Sequence, residues 1–194
     1  RIPPRQDLSG FTARHVAVMN QTTGGWTRVA TLKLPDPATD TRFGRSITFR
    51  DGLVVIGSAS AAYVFKRSNG IWTFRQKLRP PAADGPADFP VALRYDGGTL
   101  LASAYKDATP SVVHVFELNS TGRFERRATL KASDGSPGDN FGTDISMTAT
   151  TFVVGSPGGN RARSFALPQF NLHGAAYVFR RNSSGNWVQT QKLQ

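Results

Sequence analysis

Four segments of this chain repeat one pattern. Each is a short β-branched or aromatic run, a polar turn with Gly, an aromatic residue, then an alternating run ending in Leu. They run from His15 through Trp26 to Leu34, from Ala62 through Trp72 to Leu78, from Val113 through Phe124 to Leu130, and from Ala176 through Trp187 to Leu193. A second unit alternates with the first: Phe43-Gly44 leading to Leu53-Val54-Val55-Ile56-Gly57-Ser58, Phe89-Pro90 leading to Thr99-Leu100-Leu101-Ala102-Ser103, and Phe141-Gly142 leading to Phe152-Val153-Val154-Gly155-Ser156-Pro157. Trp26, Trp72 and Phe124 are spaced by 46 and 52 residues, and Phe43, Phe89 and Phe141 by the same two intervals. Two markers in step indicate tandem structural repeats.

The runs are four to seven residues long, rich in Val, Phe, Thr and Tyr, and bounded by Gly, Asn, Asp and Ser, which reads as strands. Asp51-Gly52, Asn69-Gly70 and Asp96-Gly97-Gly98 are tight-turn signals. No segment sustains a 3.6-residue period. The charged residues agree: 18 Arg against 6 Lys and 11 Asp against 2 Glu deplete the Lys and Glu that favour exposed helix. Each full repeat therefore holds four strands, and four antiparallel strands recurring in this way describe the blade of a β-propeller. The competing reading, a sandwich with coincidental repetition, does not require corresponding strands to share sequence.

The Phe-Gly…Val-Val-Ile-Gly-Ser and Phe-Gly…Val-Gly-Ser-Pro phrases at residues 43–58 and 141–157 resemble the FG-GAP repeat, which builds the seven-bladed propeller of integrin α subunits and of many surface proteins. The resemblance covers residues 11–194 and implies an all-β propeller. In its register, residues 1–10 are an N-terminal extension, 11–34 the outer two strands of one blade, and 43–78, 89–130 and 141–193 three whole blades. About three and a half blades do not close a ring, so the expectation is a portion of a larger propeller, or one of several chains that complete it. The calcium loops of integrin-type repeats do not carry over. Phe49-Arg50-Asp51-Gly52, Tyr95-Asp96-Gly97-Gly98 and Met147–Thr151 are too short and too poor in oxygen ligands for a calcium cage. No metal, cofactor or catalytic residue is assigned.

The chemistry-bearing residues follow the repeat. Asp36 and Asp40, Asp84 and Asp88, and Asp134 and Asp139 precede the Phe-Gly units in pairs. Turn capping predicts such recurrence; a calcium- or sugar-binding loop is the sharper alternative, since carboxylates can bind both. His15 and His114 fall within one position of Tyr63 and Tyr177, as aromatic-sized side chains on the third strand, while His173 lies in the insertion at 158–174. Trp26, Trp72, Phe124 and Trp187 read as core between blades, or alternatively as stacking platforms for sugars. The insertion mixes Arg161 and Arg163 with Phe165 and Phe170, and with His173 it is the expected protein-contact site. Asn20, Asn119 and Asn182 head glycosylation sequons, all expected in the turn between third and fourth strands.

Absence of Cys excludes a disulfide framework and a cysteine nucleophile. No apolar run reaches the roughly 18 residues of a spanning helix. The net charge of +11 points to anionic partners, yet the arginines are dispersed and carry no nucleic-acid motif. These readings converge on a non-enzymatic, extracellular β-propeller module for protein binding, adhesion or scaffolding. Its partners are other protein chains or the rest of the propeller. The alternative is a lectin-like propeller that recognises acidic glycans.

Overall fold

The computed structural model describes residues 15–36, 40–82, 88–106, 108–158 and 174–194, and among them the fold is all-β with 14 strands. β1 (His15–Thr22) and β2 (Gly25–Lys33) form a two-stranded sheet. The first blade is β3 (Ile47–Arg50), β4 (Leu53–Gly57), β5 (Ala62–Ser68) and β6 (Ile71–Leu78). The second is β7 (Leu93–Asp96), β8 (Thr99–Ala104), β9 (Val112–Leu118) and β10 (Phe124–Leu130). The third is β11 (Ile145–Met147), β12 (Thr151–Ser156), β13 (Ala175–Arg181) and β14 (Trp187–Leu193). Each blade is an antiparallel meander in chain order. Phe43-Gly44, Phe89-Pro90 and Phe141-Gly142 lie just before the first strands rather than in them.

Turn chemistry sets the register. Asp51-Gly52 (φ 53 and 70°), Asn69-Gly70 (50 and 80°) and Gly97-Gly98 (52 and 83°) close two-residue hairpins with both central residues at positive φ. That backbone matches the right-handed strand twist and is cheapest for Asn, Asp and Gly. The last two strands of every blade carry a bulge at one place, between Val64 and Phe65, between Arg126 and Ala128, and between Val178 and Phe179. The β1–β2 pair has the same bulge, between Val18 and Met19, and so is the outer half of a further blade.

Blades pack face to face through apolar seams. Leu32, Leu34, Val16 and Val18 meet Phe43, Ile56, Tyr63 and Phe65 of the first blade. Leu53, Val55, Val64 and Leu78 of the first blade meet Phe89, Leu93, Phe116 and Phe124 of the second. Leu101, Val113, Val115 and Leu130 of the second meet Phe141, Ile145, Phe152 and Tyr177 of the third. The Phe of each Phe-Gly unit is the wedge. Phe43 meets Tyr63 edge-on at 5.7 Å and Phe65 at 6.4 Å. Phe141 repeats this with Tyr177 at 5.6 Å and Phe179 at 6.1 Å. In the second blade Phe89 meets His114 at 5.9 Å, and His114 meets Phe116 at 6.3 Å. At the third wedge the following residue is glycine because the neighbouring blade is too close for a side chain. A Cβ on Gly142 (φ 89°) would lie 2.7 Å from Ser103 Cβ and 2.9 Å from a Val113 methyl.

Candidate functional site

The repeated polar residues sit on two rims and in the seams, and most are engaged by the fold itself. Asp40 is buried at 3% exposure. It accepts hydrogen bonds from Ser58 Oγ (2.7 Å), Tyr63 Oη (2.9 Å), the Thr41 amide (3.0 Å) and the Ser60 amide (3.3 Å). Burial works against its charge, but the donors from Ser58, Tyr63, Ser60 and Thr41 outweigh it and hold the carboxyl below the usual carboxylate range. The Tyr63 hydroxyl is pushed up, by burial first and then by the carboxylate it donates to.

The third blade builds the same device differently. Tyr177 Oη donates to Asp134 Oδ1 at 2.9 Å, and Lys192 Nζ to Oδ2 at 2.7 Å. The hydrogen bond from Lys192, then that from Tyr177, lowers the Asp134 pKa. Burial and the bond to Asp134 raise that of Tyr177 to about 12. Asp139 caps its own turn, with Oδ2 accepting from the Ser136 amide at 2.7 Å, and its carbonyl accepts from buried Ser156 Oγ at 2.8 Å. Asp88 pairs with Arg45 at 3.1 Å. Asp36 is exposed, and Asp84 lies outside the described residues. The described aspartates lie in separate blades, where Asp40, Asp134 and Asp139 act as clamps and caps and Asp88 pairs with Arg45. Among the described residues no group of three or more His, Cys, Asp or Glu could hold a metal ion.

His114 takes the register place of Tyr63 and Tyr177, opposite Ala102 as they are opposite Ile56 and Val154, and its Nδ1 lies 3.2 Å from Thr129 Oγ1. It is fully buried, as expected of a seam aromatic. His15 begins β1 opposite Lys33. The aromatic series divides. Phe124 is buried edge-on to Tyr95, and Trp187 stacks on Phe152 at 3.7 Å. Trp72 leans on Phe49 at 6.1 Å. Trp26 corrects the expectation of core: it is 67% exposed, because among the described residues its sheet is β1 and β2 alone and lacks the first and second strands that supply Phe49 to Trp72, Tyr95 to Phe124 and Phe152 to Trp187.

Asn119 and Asn182 lie in the expected turns. Asn119 Oδ1 accepts from the amides of Thr121 and Arg123, both at 3.0 Å, and Asn182 Oδ1 from those of Ser184 and Asn186, both at 3.0 Å. Asn20 does not, since Asn20-Gln21-Thr22 is paired within β1 opposite Thr27, Trp26 and Gly25. Arg161, Arg163, Phe165, Phe170 and His173 lie outside the described residues. The insertion leaves and returns at one place, for a Cβ on Gly174 would lie 3.1 Å from the Pro157 carbonyl oxygen.

Two features escape a reading of the sequence alone. Some dispersed arginines tie neighbouring blades: Arg50 to Asp96 (3.1 Å), Arg45 to Asp88 (3.1 Å), Arg94 to Asp144 (2.8 Å), and Arg181 to Glu117. Nothing in the local sequence says which carboxylate faces which arginine across a seam. The second feature is a cleft of about 370 Å³ between the outer strands of the first blade and the β9–β10 turn. It is lined by Leu53, Val64, Lys66, Phe74, Arg75, Thr121, Gly122 and Arg123, three cations and no carboxylate. Gln76 fixes its walls by donating to the Phe124 carbonyl and accepting from the Phe124 amide, both at 2.9 Å.

Comparison with known proteins agrees with the fold. Residues 124–179 match the family model of the FG-GAP repeat, so the chain carries an FG-GAP repeat across β10 to β13. No curated protein matches in sequence. A crystal structure of a protein from Lactobacillus plantarum superposes with a TM-score of 0.60 at 17% identity, covering 92% of this chain and 49% of that one. The chain therefore spans about half the length of that structure, and the likeness is one of fold alone. A structure of S. cerevisiae Dbp5 bound to Nup159 and Gle1 aligns at a TM-score of 0.27 and 11% identity, over 84% of this chain and 50% of that one, and carries no argument. The fold is a β-propeller of four-stranded blades, with three blades and the outer half of a fourth described here.

Proposed function

We propose that this chain is a non-enzymatic, extracellular β-propeller module that binds other proteins. One observation carries the reading: among the described residues, most of the polar side chains that recur with the blades are engaged in holding the propeller together. Asp40 has four donors, Asp134 holds Tyr177 and Lys192, and His114 is sealed in a seam. Among the described residues, groups so engaged are not poised as an acid–base pair over a shared cavity. What remains for partners is surface: the basic cleft, the rim turns and the exposed apolar side chains. The exposed Asn182 and the half-buried Asn119, each opening an exposed turn, suit glycan attachment in a secreted protein.

The cleft supports a second reading, an acidic glycan held by Lys66, Arg75 and Arg123 with Phe74 as platform. One three-armed assay on the purified chain separates these: fluorogenic esters and glycosides, an array of sulfated and carboxylated glycans, and an array of extracellular proteins. Saturable binding in the protein arm without turnover is the expected result. Turnover above the buffer blank overturns it. Glycan binding that disappears in Arg75→Glu/Arg123→Glu, with the protein arm silent, replaces it with the second reading.

A further inference from the structure

The bulge in the last two strands of a blade leaves one residue of the fourth strand out of the register. That residue is Arg75 in the first blade and Arg127 in the second. A bulge re-aims the side chain it carries, and in the second blade that side chain finds two carboxylates. Arg127 lies 2.8 Å from a Glu125 oxygen and 4.0 Å from one of Glu117, and Glu117 also takes Arg181 of the third blade. Glu117 and Glu125 stand opposite each other across β9 and β10. The same register pair in the first blade is Lys66 and Thr73. Arg75 therefore has a lysine and a hydroxyl in the places where Arg127 has two carboxylates. The neighbouring blade does not make up the difference, for Thr121, Gly122 and Arg123 complete the cleft and add a third cation. Among the described residues no carboxylate pairs with Lys66, Arg75 or Arg123, whereas Arg45, Arg50, Arg94, Arg127 and Arg181 each hold one.

We propose that this cleft docks an acidic peptide segment of a partner protein, whose carboxylates take for Lys66, Arg75 and Arg123 the part that Glu117 and Glu125 take for Arg127. This deepens the protein-binding reading and rests on it. Cations gathered without counter-charge repel one another, and an occupant that brings carboxylates relieves the repulsion. A guanidinium offers paired donors that a carboxylate accepts in bidentate fashion. The lining favours a peptide over an acidic glycan. Its polar side chains are three cations and the Thr121 hydroxyl, which donates to Asn119 Oδ1 at 2.7 Å. Sugar hydroxyls need acceptors as well as donors. Leu53 and Val64, both buried, give the cleft an aliphatic floor suited to a valine or leucine placed between the acids. The cleft lies between two complete blades, and Gln76 fixes its walls through the amide and carbonyl of Phe124. The net charge of +11 steers an acidic segment toward the chain.

The test uses the 194-residue chain and a fluorescein-labelled peptide, Gly-Glu-Val-Glu-Leu-Glu-Gly. Binding is read by anisotropy at about 0.15 M salt, where diffuse attraction is screened. Saturable binding is expected, weakened about tenfold or more in Arg75→Gln/Arg123→Gln and less than about twofold in Arg180→Gln/Lys131→Gln, which removes the same charge outside the cleft. All four side chains are exposed, so an unchanged circular dichroism spectrum certifies the fold of both variants. Lys66→Glu/Thr73→Glu installs the second blade's carboxylates beside Arg75 and should abolish binding. The absence of saturable binding overturns the proposal. So does equal weakening in the two glutamine variants, undiminished binding in Lys66→Glu/Thr73→Glu, or equal binding of a peptide with Gln in place of each Glu. An oligosaccharide of uronic acids that binds more tightly than the peptide, and is lost in Arg75→Gln/Arg123→Gln, would assign the cleft to a glycan and overturn it likewise. Binding on the protein array that survives Arg75→Gln/Arg123→Gln would leave the protein-binding reading standing while docking in the cleft falls.

Discussion

At the scale of single residues, Asp40 and Gly142 show how little freedom the repeated motifs leave. Asp40 is a buried carboxylate satisfied by four donors. Asp40→Ala strands the Tyr63 hydroxyl, while Ser58 Oγ keeps the Ala61 carbonyl at 2.8 Å, and should cost about 2–4 kcal/mol in denaturant unfolding. Its pKa is held below the usual range in the folded state. Its contribution is therefore complete above the unfolded value near 4 and is lost as the pH falls through the folded value. Asp40→Asn should be less stable at neutral pH and lack that component of the acid dependence; a curve parallel to wild type below about pH 4 would contradict the assignment. Gly142→Ala combines a positive φ with a 2.7 Å approach to Ser103 Cβ and should cost about 2–4 kcal/mol. Gly24→Ala, with nothing within 4 Å, should stay within about 0.5 kcal/mol.

At the scale of elements, equivalent strands differ in energy because their neighbours differ. Leu78, Leu130 and Leu193 occupy one register place, opposite Ala62, Val113 and Ala176. Leu78 and Leu130 are 4% and 3% exposed, while Leu193, with no described blade beyond it, is 44% exposed. Leu130→Ala should therefore cost about 2–4 kcal/mol, and Leu193→Ala less than about 1. Equal costs in chemical denaturation would show that the third blade's outer face is covered. The strands could be read from the sequence because each carries its own signal: Val-rich runs, Asn-Gly and Asp-Gly turns, and a Trp or Phe at the start of the fourth strand. Exposure could not. Trp26 repeats the motif of Trp187, yet one projects into solvent and the other stacks on Phe152. Local pattern specifies which face of a strand is apolar, not whether the strands or blade that would cover it are in place. The Asn20 sequon misleads for a related reason, because β1 continues to Thr22 and absorbs what its polar composition marks as a turn.

At the scale of the whole molecule, the site was the least readable part. The repeat spacing announced a propeller, and His114 was recognisable as a substitute for Tyr63 and Tyr177. The Arg50–Asp96 and Arg94–Asp144 ties and the cleft at Lys66, Arg75 and Arg123 arise only when blades are placed side by side. Exposed ion pairs of this kind are worth roughly 0–1 kcal/mol each. Arg94→Ala should accordingly shift unfolding by less than about 1 kcal/mol, and a larger loss would mean that the ties, not the apolar seams, hold the blades. The central claim is that each Phe-Gly unit wedges against the blade before it. Nuclear Overhauser contacts between the Gly142 α-protons and the Val113 methyls, and between Gly44 and the Val16 methyls, test it most directly. The account predicts both, at the seam positions where the added Cβ atoms would lie 2.9 and 3.4 Å from those methyls. Well-dispersed spectra lacking both contacts would contradict it.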